Sequence, residues 1–427
     1  MGRRTKRTAV VLIGALLLLF CLVELVLFSS GRGTDCSEVS RNEKSFPTHS
    51  PSYNGFHERA HLNRCPDALG KNVSRDAIYA RRRLRSDDVC FQSSRDQVYR
   101  MAEHDFTKTA FCIVPKVGCT YWLTLFRWLH NDTLGKHYTN PFDMPRYQVH
   151  YKPNIMKYHR FNMTSAPSFL SDRFRFMFVR EPYARLWSAY VDKFILPDYW
   201  NVDGWKIAKR RQGATKSQWR CGNDVTFVEF LDFVTNTPVS KMNDHYMPYQ
   251  QLCSPCLFRP HVIGKMETFR QDTRYILKQM NLSWLSQELS DSDTHSRHEM
   301  HMLIDDAYHE IRYKFFHNCT NTTHIASRLW TVFQINGYLP KSVRFPWAGR
   351  GHVDSRALKK LVIETYENRQ PKNKFLYAAQ KEQAMVDAYS AVPDSVMQKL
   401  RELYELDFKM FDYDPMLEIL YRKRNVG

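Results

Sequence analysis

The sequence predicts an α/β protein: a P-loop-like parallel sheet flanked by helices, preceded by an N-terminal transmembrane helix and a stem. Three observations predict it. The stretch "FCIVPKVGCTYWLTLFRWL" (111–129) passes from a short unbroken apolar run to an amphipathic one across a hinge, and "FRFMFVREPYARLWSAYVDKF" (174–194) does the same. Repeated strand, hinge and helix give a parallel sheet with helices on its faces. The third observation is the apolar run at 9–28, broken only by Glu24, which as a helix is long enough to cross a ~30 Å hydrocarbon core.

Arg3, Arg4, Lys6 and Arg7 precede that run. Residues 1–8 are therefore expected in the cytosol and the chain after residue 28 on the far side of the membrane. A cleaved signal peptide is the alternative, and it delivers the chain to the same secretory pathway. Residues 29–104 read as stem and linker, rich at first in Ser, Gly, Pro and charge, with "ARRRLRSDDVC" (80–90) as a basic helix packed on or near the main domain. The main domain is expected at 105–427.

A net charge of +18 suits an acidic partner, and 43% hydrophobic with 14% aromatic content excludes a disordered chain. Placement beyond a membrane argues against nucleic acid. Acceptor triplets for N-glycosylation at Asn72, Asn131, Asn162, Asn281, Asn318 and Asn321 agree with that placement. Of the 10 cysteines, Cys21 lies in the apolar run, so the odd number beyond it leaves at least one thiol without an intramolecular partner. Cys253-Ser-Pro-Cys256 resembles half of a zinc site. No second CxxC or HxxxH lies at ligand spacing, so a local disulfide is expected there and no metal.

Within the main domain, "TAFCIV" (109–114) and "FRFMFV" (174–179) read as buried strands. Helical spacing aligns Trp122, Leu125, Phe126 and Leu129 over 120–130, and Leu186, Trp187 and Tyr190 over 183–194. The hinge Pro115-Lys116-Val117-Gly118-Cys119-Thr120 feeds a helix amino terminus, where unpaired N–H groups favour an anion. Gly118 permits close backbone approach, Lys116 adds a full charge and Thr120 a hydroxyl. The pattern GxxxxGK[ST] is absent from the chain, which leaves nucleoside-triphosphatase chemistry without an anchor.

The hinge resembles the 5′-phosphosulfate loop of the Golgi carbohydrate sulfotransferases, and "FVREPYARLWSAYVDKF" (178–194) resembles their 3′-phosphate motif, in the same order. The likeness is to the branch with the chondroitin and dermatan 4-O-sulfotransferases and a glucuronyl 3-O-sulfotransferase. It continues through "DVTFVEFLDFV" (224–234), "LCSPCLF" (252–258), "VIGKMETFRQD" (262–272) and "LYELDFKMFDYD" (403–414). The resemblance implies a sulfotransferase fold, 3′-phosphoadenosine 5′-phosphosulfate (PAPS) as donor, and a glycan acceptor. It places Pro115, Lys116, Val117, Gly118, Cys119 and Thr120 around the 5′-phosphosulfate, and Arg180 and Ser188 on the 3′-phosphate. Arg185 is expected as a solvated surface arginine. Residues 285–400 depart from the family, as an acceptor-side wall or a helical elaboration without a catalytic part.

Sulfuryl transfer to a sugar hydroxyl needs a base, and imidazole suits lumenal pH. His150 is the first choice, between the two donor motifs where the family carries a histidine; His245, in "MNDHYMPYQ", is the alternate, and His159 is expected at the surface. The favoured acceptor is the 4-hydroxyl of N-acetylgalactosamine in chondroitin or dermatan. Glucuronic acid 3-O or N-glycan sulfation, or a non-enzymatic lumenal binder of sulfated glycans, stand as alternatives. The address is a single-pass type II protein of the Golgi membrane.

Overall fold

In the computed structural model the described residues are 74–90, 97–151, 156–161, 170–287, 292–370, 372–417 and 420. The expected cytosolic tail, membrane span and the stem up to residue 73 lie outside them, as do Cys21, Cys36, Cys65, Asn72 and Asn162. Among the described residues no helix is long and apolar enough to cross a membrane.

The chain first forms α1 (Arg75–Val89), capped by the Ser74 side chain accepting from the Ala77 N–H. Strands β1 (Gln97–His104) and β2 (Thr109–Cys112) follow, joined by a four-residue turn in which Lys108 takes φ 48°. A turn this short joins only antiparallel strands. After β2 come α2 (Cys119–Leu129), α3 (Arg146–Tyr151), β3 (Met156–Phe161), β4 (Phe174–Val179) and α4 (Pro182–Tyr190). Next are α5 (Phe227–Thr235), β5 (Val262–Lys265) and α6 (Phe269–Gln279).

The sheet order is β3-β1-β2-β4-β5. The two expected strands lie side by side and parallel, Phe111 opposite Phe176, and β5 extends the parallel part with Val262 opposite Phe176. The expectation of a parallel sheet holds for these three strands; β1 runs antiparallel to both β2 and β3, so the sheet is mixed. Trp122 and Phe126 of α2, on the expected face, pack with Phe111 and Phe176 at the centre of the core.

The compact unit begins at Ser74, earlier than the expected domain start at 105. Arg82 of α1 pairs with the buried Asp272 at 2.9 Å, Tyr79 donates to the same carboxylate at 2.8 Å, and Cys90 bonds to Cys256. β1 escapes the apolar-run criterion because "QVYRMAEH" is half polar and owes its place to pairing on both edges. The expected local bridge Cys253–Cys256 is also corrected. Cys253 ends one short helix (Tyr249–Cys253) and Pro255 opens another (Pro255–Phe258), which gives the two sulfurs different partners: Cys112 of β2 and Cys90. A third disulfide joins Cys221 to Cys319, and among the described residues only Cys119 has a free thiol.

The stretch expected to depart from the family is helical: α7 (Ser292–Glu310), α8 (Thr322–Ile335), α9 (Ser355–Asn368), α10 (Lys374–Ser390) and α11 (Asp394–Leu403). Helices α7, α8 and α9 enclose a separate core around Trp200, Trp330, Ile304 and Val362, while Tyr389 and Leu400 join Tyr183 and Phe230 in another. Helix α12 (Glu405–Phe411) then returns to α1, Arg85 donating to the Lys409 carbonyl.

Candidate donor and acceptor site

Parallel strands β2 and β4 end at the same edge of the sheet, so the two anion motifs open side by side, where ligands of such sheets bind. The Lys116 loop leaves β2 there. Lys116 and Gly118 both take positive φ, 70° and 79°, and Val117 is buried beneath them. Gly118 is the N-cap of α2 and supplies no capping side chain. A Cβ at Gly118 would stand 2.6 Å from the Phe269 ring. Gly118→Ala is therefore expected to cost about 1–2 kcal/mol from left-handed strain plus the displaced ring, read as a lower midpoint of thermal unfolding. Cys119 is buried behind the loop, and Pro115 offers its carbonyl to Arg185 Nε at 3.2 Å.

Arg180 follows β4, its backbone N–H donating to the Tyr249 hydroxyl at 2.8 Å. Its half-buried guanidinium makes no hydrogen bond or ion pair among the described residues, and neither does the Ser188 hydroxyl. Both groups are thus available to a ligand. Glu181 caps α4, accepting from the Tyr183 and Ala184 N–H groups, and burial pushes its carboxyl up to about 8.

Arg185 overturns its expectation. It is 2% exposed, its terminal nitrogens donate to the Met247 and Asp244 carbonyls at 2.7 and 2.9 Å, and its guanidinium covers the Tyr249 ring. It fixes the Lys116 loop through the Pro115 carbonyl, so it acts on the site from behind.

The largest finding beyond the expected residues is a charge network. Helix α4 ends in a π turn, Val191–Ile195, a feature frequent at functional sites. That turn carries Asp192 and Lys193. Asp192 accepts from Lys116 Nζ at 2.6 Å and from both terminal nitrogens of Arg146 at 2.8 Å. Lys193 pairs closely with Asp198, and Arg146 reaches Asp306 of α7 at 3.4 Å. Burial opposes the Asp192 charge, but Arg146, Lys116 and Lys193 outweigh it and hold the carboxyl well below its usual range. Burial lowers Lys116 in turn, and Asp192 only partly offsets that. The signal was present in the sequence, since Asp192-Lys193 interrupts an otherwise apolar run in "WSAYVDKFIL".

Both candidate bases come to this network. His150 Nε2 on α3 lies 3.0 Å from Thr120 Oγ1 in the Lys116 loop. His245 Nδ1 lies 2.7 Å from the Tyr199 hydroxyl and 2.8 Å from Asn243 Oδ1. Burial pushes both imidazoles well below 6.5, reinforced at His150 by Arg146, Lys193 and Arg100 and at His245 by Lys193 and Lys116. Each is neutral near pH 6.5 and able to accept a proton. His159 is instead part-buried on edge strand β3 and paired with Glu103 of β1. Among the described residues, no group of three or more metal-ligating side chains gathers.

Residues 98–333 match the Sulfotransferase family, a span running from β1 to α8. The chain is 33% identical to carbohydrate sulfotransferase 11 of Rattus norvegicus over 180 residues, covering 40% of this chain and 50% of that protein. It is 33% identical to carbohydrate sulfotransferase 14 of Danio rerio, covering 42% and 46%, and 32% identical to carbohydrate sulfotransferase 8 of Mus musculus, covering 42% and 43%. The matched region thus spans about half the length of these curated relatives or less. No solved structure matches. With both anion motifs inside the matched region, on adjacent parallel strands, the chain belongs to the sulfotransferase family.

Proposed function

We propose that this chain transfers a sulfuryl group from PAPS to a glycan hydroxyl, with the 4-hydroxyl of N-acetylgalactosamine in chondroitin or dermatan as the favoured acceptor. One observation carries it: a lysine loop and an arginine whose guanidinium makes no hydrogen bond or ion pair among the described residues open at one sheet edge, with the His150 imidazole 3.0 Å from the Thr120 hydroxyl of that loop. In this reading Arg180 and Ser188 bind the 3′-phosphate. Pro115, Val117, Gly118, Cys119 and Thr120 shape the cradle for the phosphosulfate, and Lys116 neutralises charge on the departing 5′-phosphate. His150 takes the acceptor proton as the new S–O bond forms and the bond to the bridging phosphate oxygen breaks, releasing 3′-phosphoadenosine 5′-phosphate. His245 is the alternate for that role. No metal takes part.

The membrane topology belongs to the same proposal: residues 1–8 cytosolic, 9–28 spanning, and a glycosylated lumenal domain in the Golgi. The disulfides support an oxidising lumen. Asn131, Asn281, Asn318 and Asn321 are all exposed. The relatives' names support a carbohydrate acceptor.

Two measurements test the reading. 3′-Phosphoadenosine 5′-phosphate at 100 times its Kd should stabilise the protein by ~2.7 kcal/mol, seen as a rise in unfolding temperature. Radiolabelled sulfate from PAPS should then reach desulfated chondroitin or dermatan ahead of heparosan and N-glycan acceptors, with the position fixed by disaccharide analysis. Glycan binding with no nucleotide response would identify a binder in place of an enzyme.

A further inference from the structure

Lys116 has a partner within the protein. Its side chain is 15% exposed and its ammonium is held by Asp192, whose carboxylate is gripped from the other side by Arg146. Arg146 opens α3, and His150 lies one turn further along the same short helix. His150 returns to the donor loop through Thr120. These contacts close a ring: loop, Asp192, Arg146, α3, His150, loop. Asp306 ties α7 to that ring through Arg146.

The electrostatics of the ring are unusual for an anion site. Lys116 faces Asp192 and Lys193 from the turn after α4, Arg146 from α3, and His245 from the segment ahead of Tyr249. Asp198, Asp306 and Glu310 stand beyond Arg146 and Lys193. A carboxylate on the lysine that must meet a phosphosulfate competes with that ligand. Affinity alone would favour its absence. What Asp192 provides is geometry, since it is a second link, beside His150–Thr120, between the loop and the helix bearing His150.

We propose that Asp192 is a positioning residue that holds Lys116 in the donor-free protein, yields it when a 5′-phosphate enters the loop, and through Arg146 keeps His150 in register with the loop. This rests on the donor-site reading above. It gives two effects of opposite sign in one variant. Asp192→Asn removes the competitor for Lys116, so 3′-phosphoadenosine 5′-phosphate should bind roughly fivefold tighter or more. The same change loosens Arg146 and α3, so kcat should fall roughly a hundredfold. A residue serving only to support the fold would weaken nucleotide binding and turnover together.

The test is titration calorimetry with 3′-phosphoadenosine 5′-phosphate on the full lumenal protein, wild type and Asp192→Asn, beside kcat from sulfate transfer. Tighter nucleotide with slower turnover supports the proposal. Equal or weaker nucleotide binding by the variant, with a wild type that binds, overturns it and leaves the donor site standing. A wild type that does not bind the nucleotide overturns the donor-site reading and this proposal with it. Should Asp192→Asn fail to fold, Asp306→Asn removes the outer carboxylate, 14% exposed, and leaves Arg146 to Asp192 and Asp198. With Arg146 drawn closer onto Asp192, that carboxylate holds Lys116 less firmly, so tighter nucleotide binding is expected there too, and equal or weaker binding overturns the proposal.

Discussion

Lys116→Ala is expected to lower kcat about 10²–10³-fold, the usual loss when a group that stabilises developing charge is removed from a preorganised site. The fold should survive the change, because Asp192 keeps both of its bonds from Arg146. Arg180→Ala should behave differently. Its guanidinium holds nothing in the protein among the described residues, so its loss should leave stability intact and appear chiefly as a raised KM for PAPS. Steady-state kinetics with both substrates varied separates the two, and equal small effects from both variants would overturn the donor assignment.

His150→Ala is expected to lower transfer about 10²–10⁴-fold, the span typical of a lost general base, while nucleotide binding stays nearly unchanged. The pH dependence carries the sign. A base works when deprotonated, and burial with Arg146, Lys193 and Arg100 holds the folded His150 well below 6.5. Activity should therefore persist as pH falls through 6.5 and decline only further into acid. Stability responds sooner: below 6.5 the unfolded chain takes up protons that folded His150 and His245 refuse, so the fold begins to weaken while activity still persists. Retained turnover in His150→Ala, beside an inactive His245→Ala that still binds nucleotide, would transfer the role to His245.

The parts that sequence alone made legible are those written in local pattern. Buried runs such as "FRFMFV" and the spacing of Trp122, Leu125 and Phe126 specify strands and helices within a few residues of themselves, and the loop chemistry of Pro115 to Thr120 is contiguous. So two of the three parallel strands, β2 and β4, with α2, α4 and the placement of Arg180 past a strand end, were readable, while β5 was not. The family followed from the same contiguous motifs.

What only the tertiary structure decided are the relations between distant charges. Arg146, Arg82 and Asp272 look like ordinary surface residues in a basic chain, and Asp192, though it interrupts an apolar run, carries no sign of its partner, because a buried ion pair leaves no periodic trace and the partner lies tens of residues away or more. Arg185 reads as solvated until the Pro115, Asp244 and Met247 carbonyls are found around it. The pairings Cys90–Cys256 and Cys112–Cys253 followed from which elements faced each other, against the nearer option the spacing offered. Burying a charge is costly unless it is paired and hydrogen-bonded, and that pairing is settled only when the elements carrying both partners have packed.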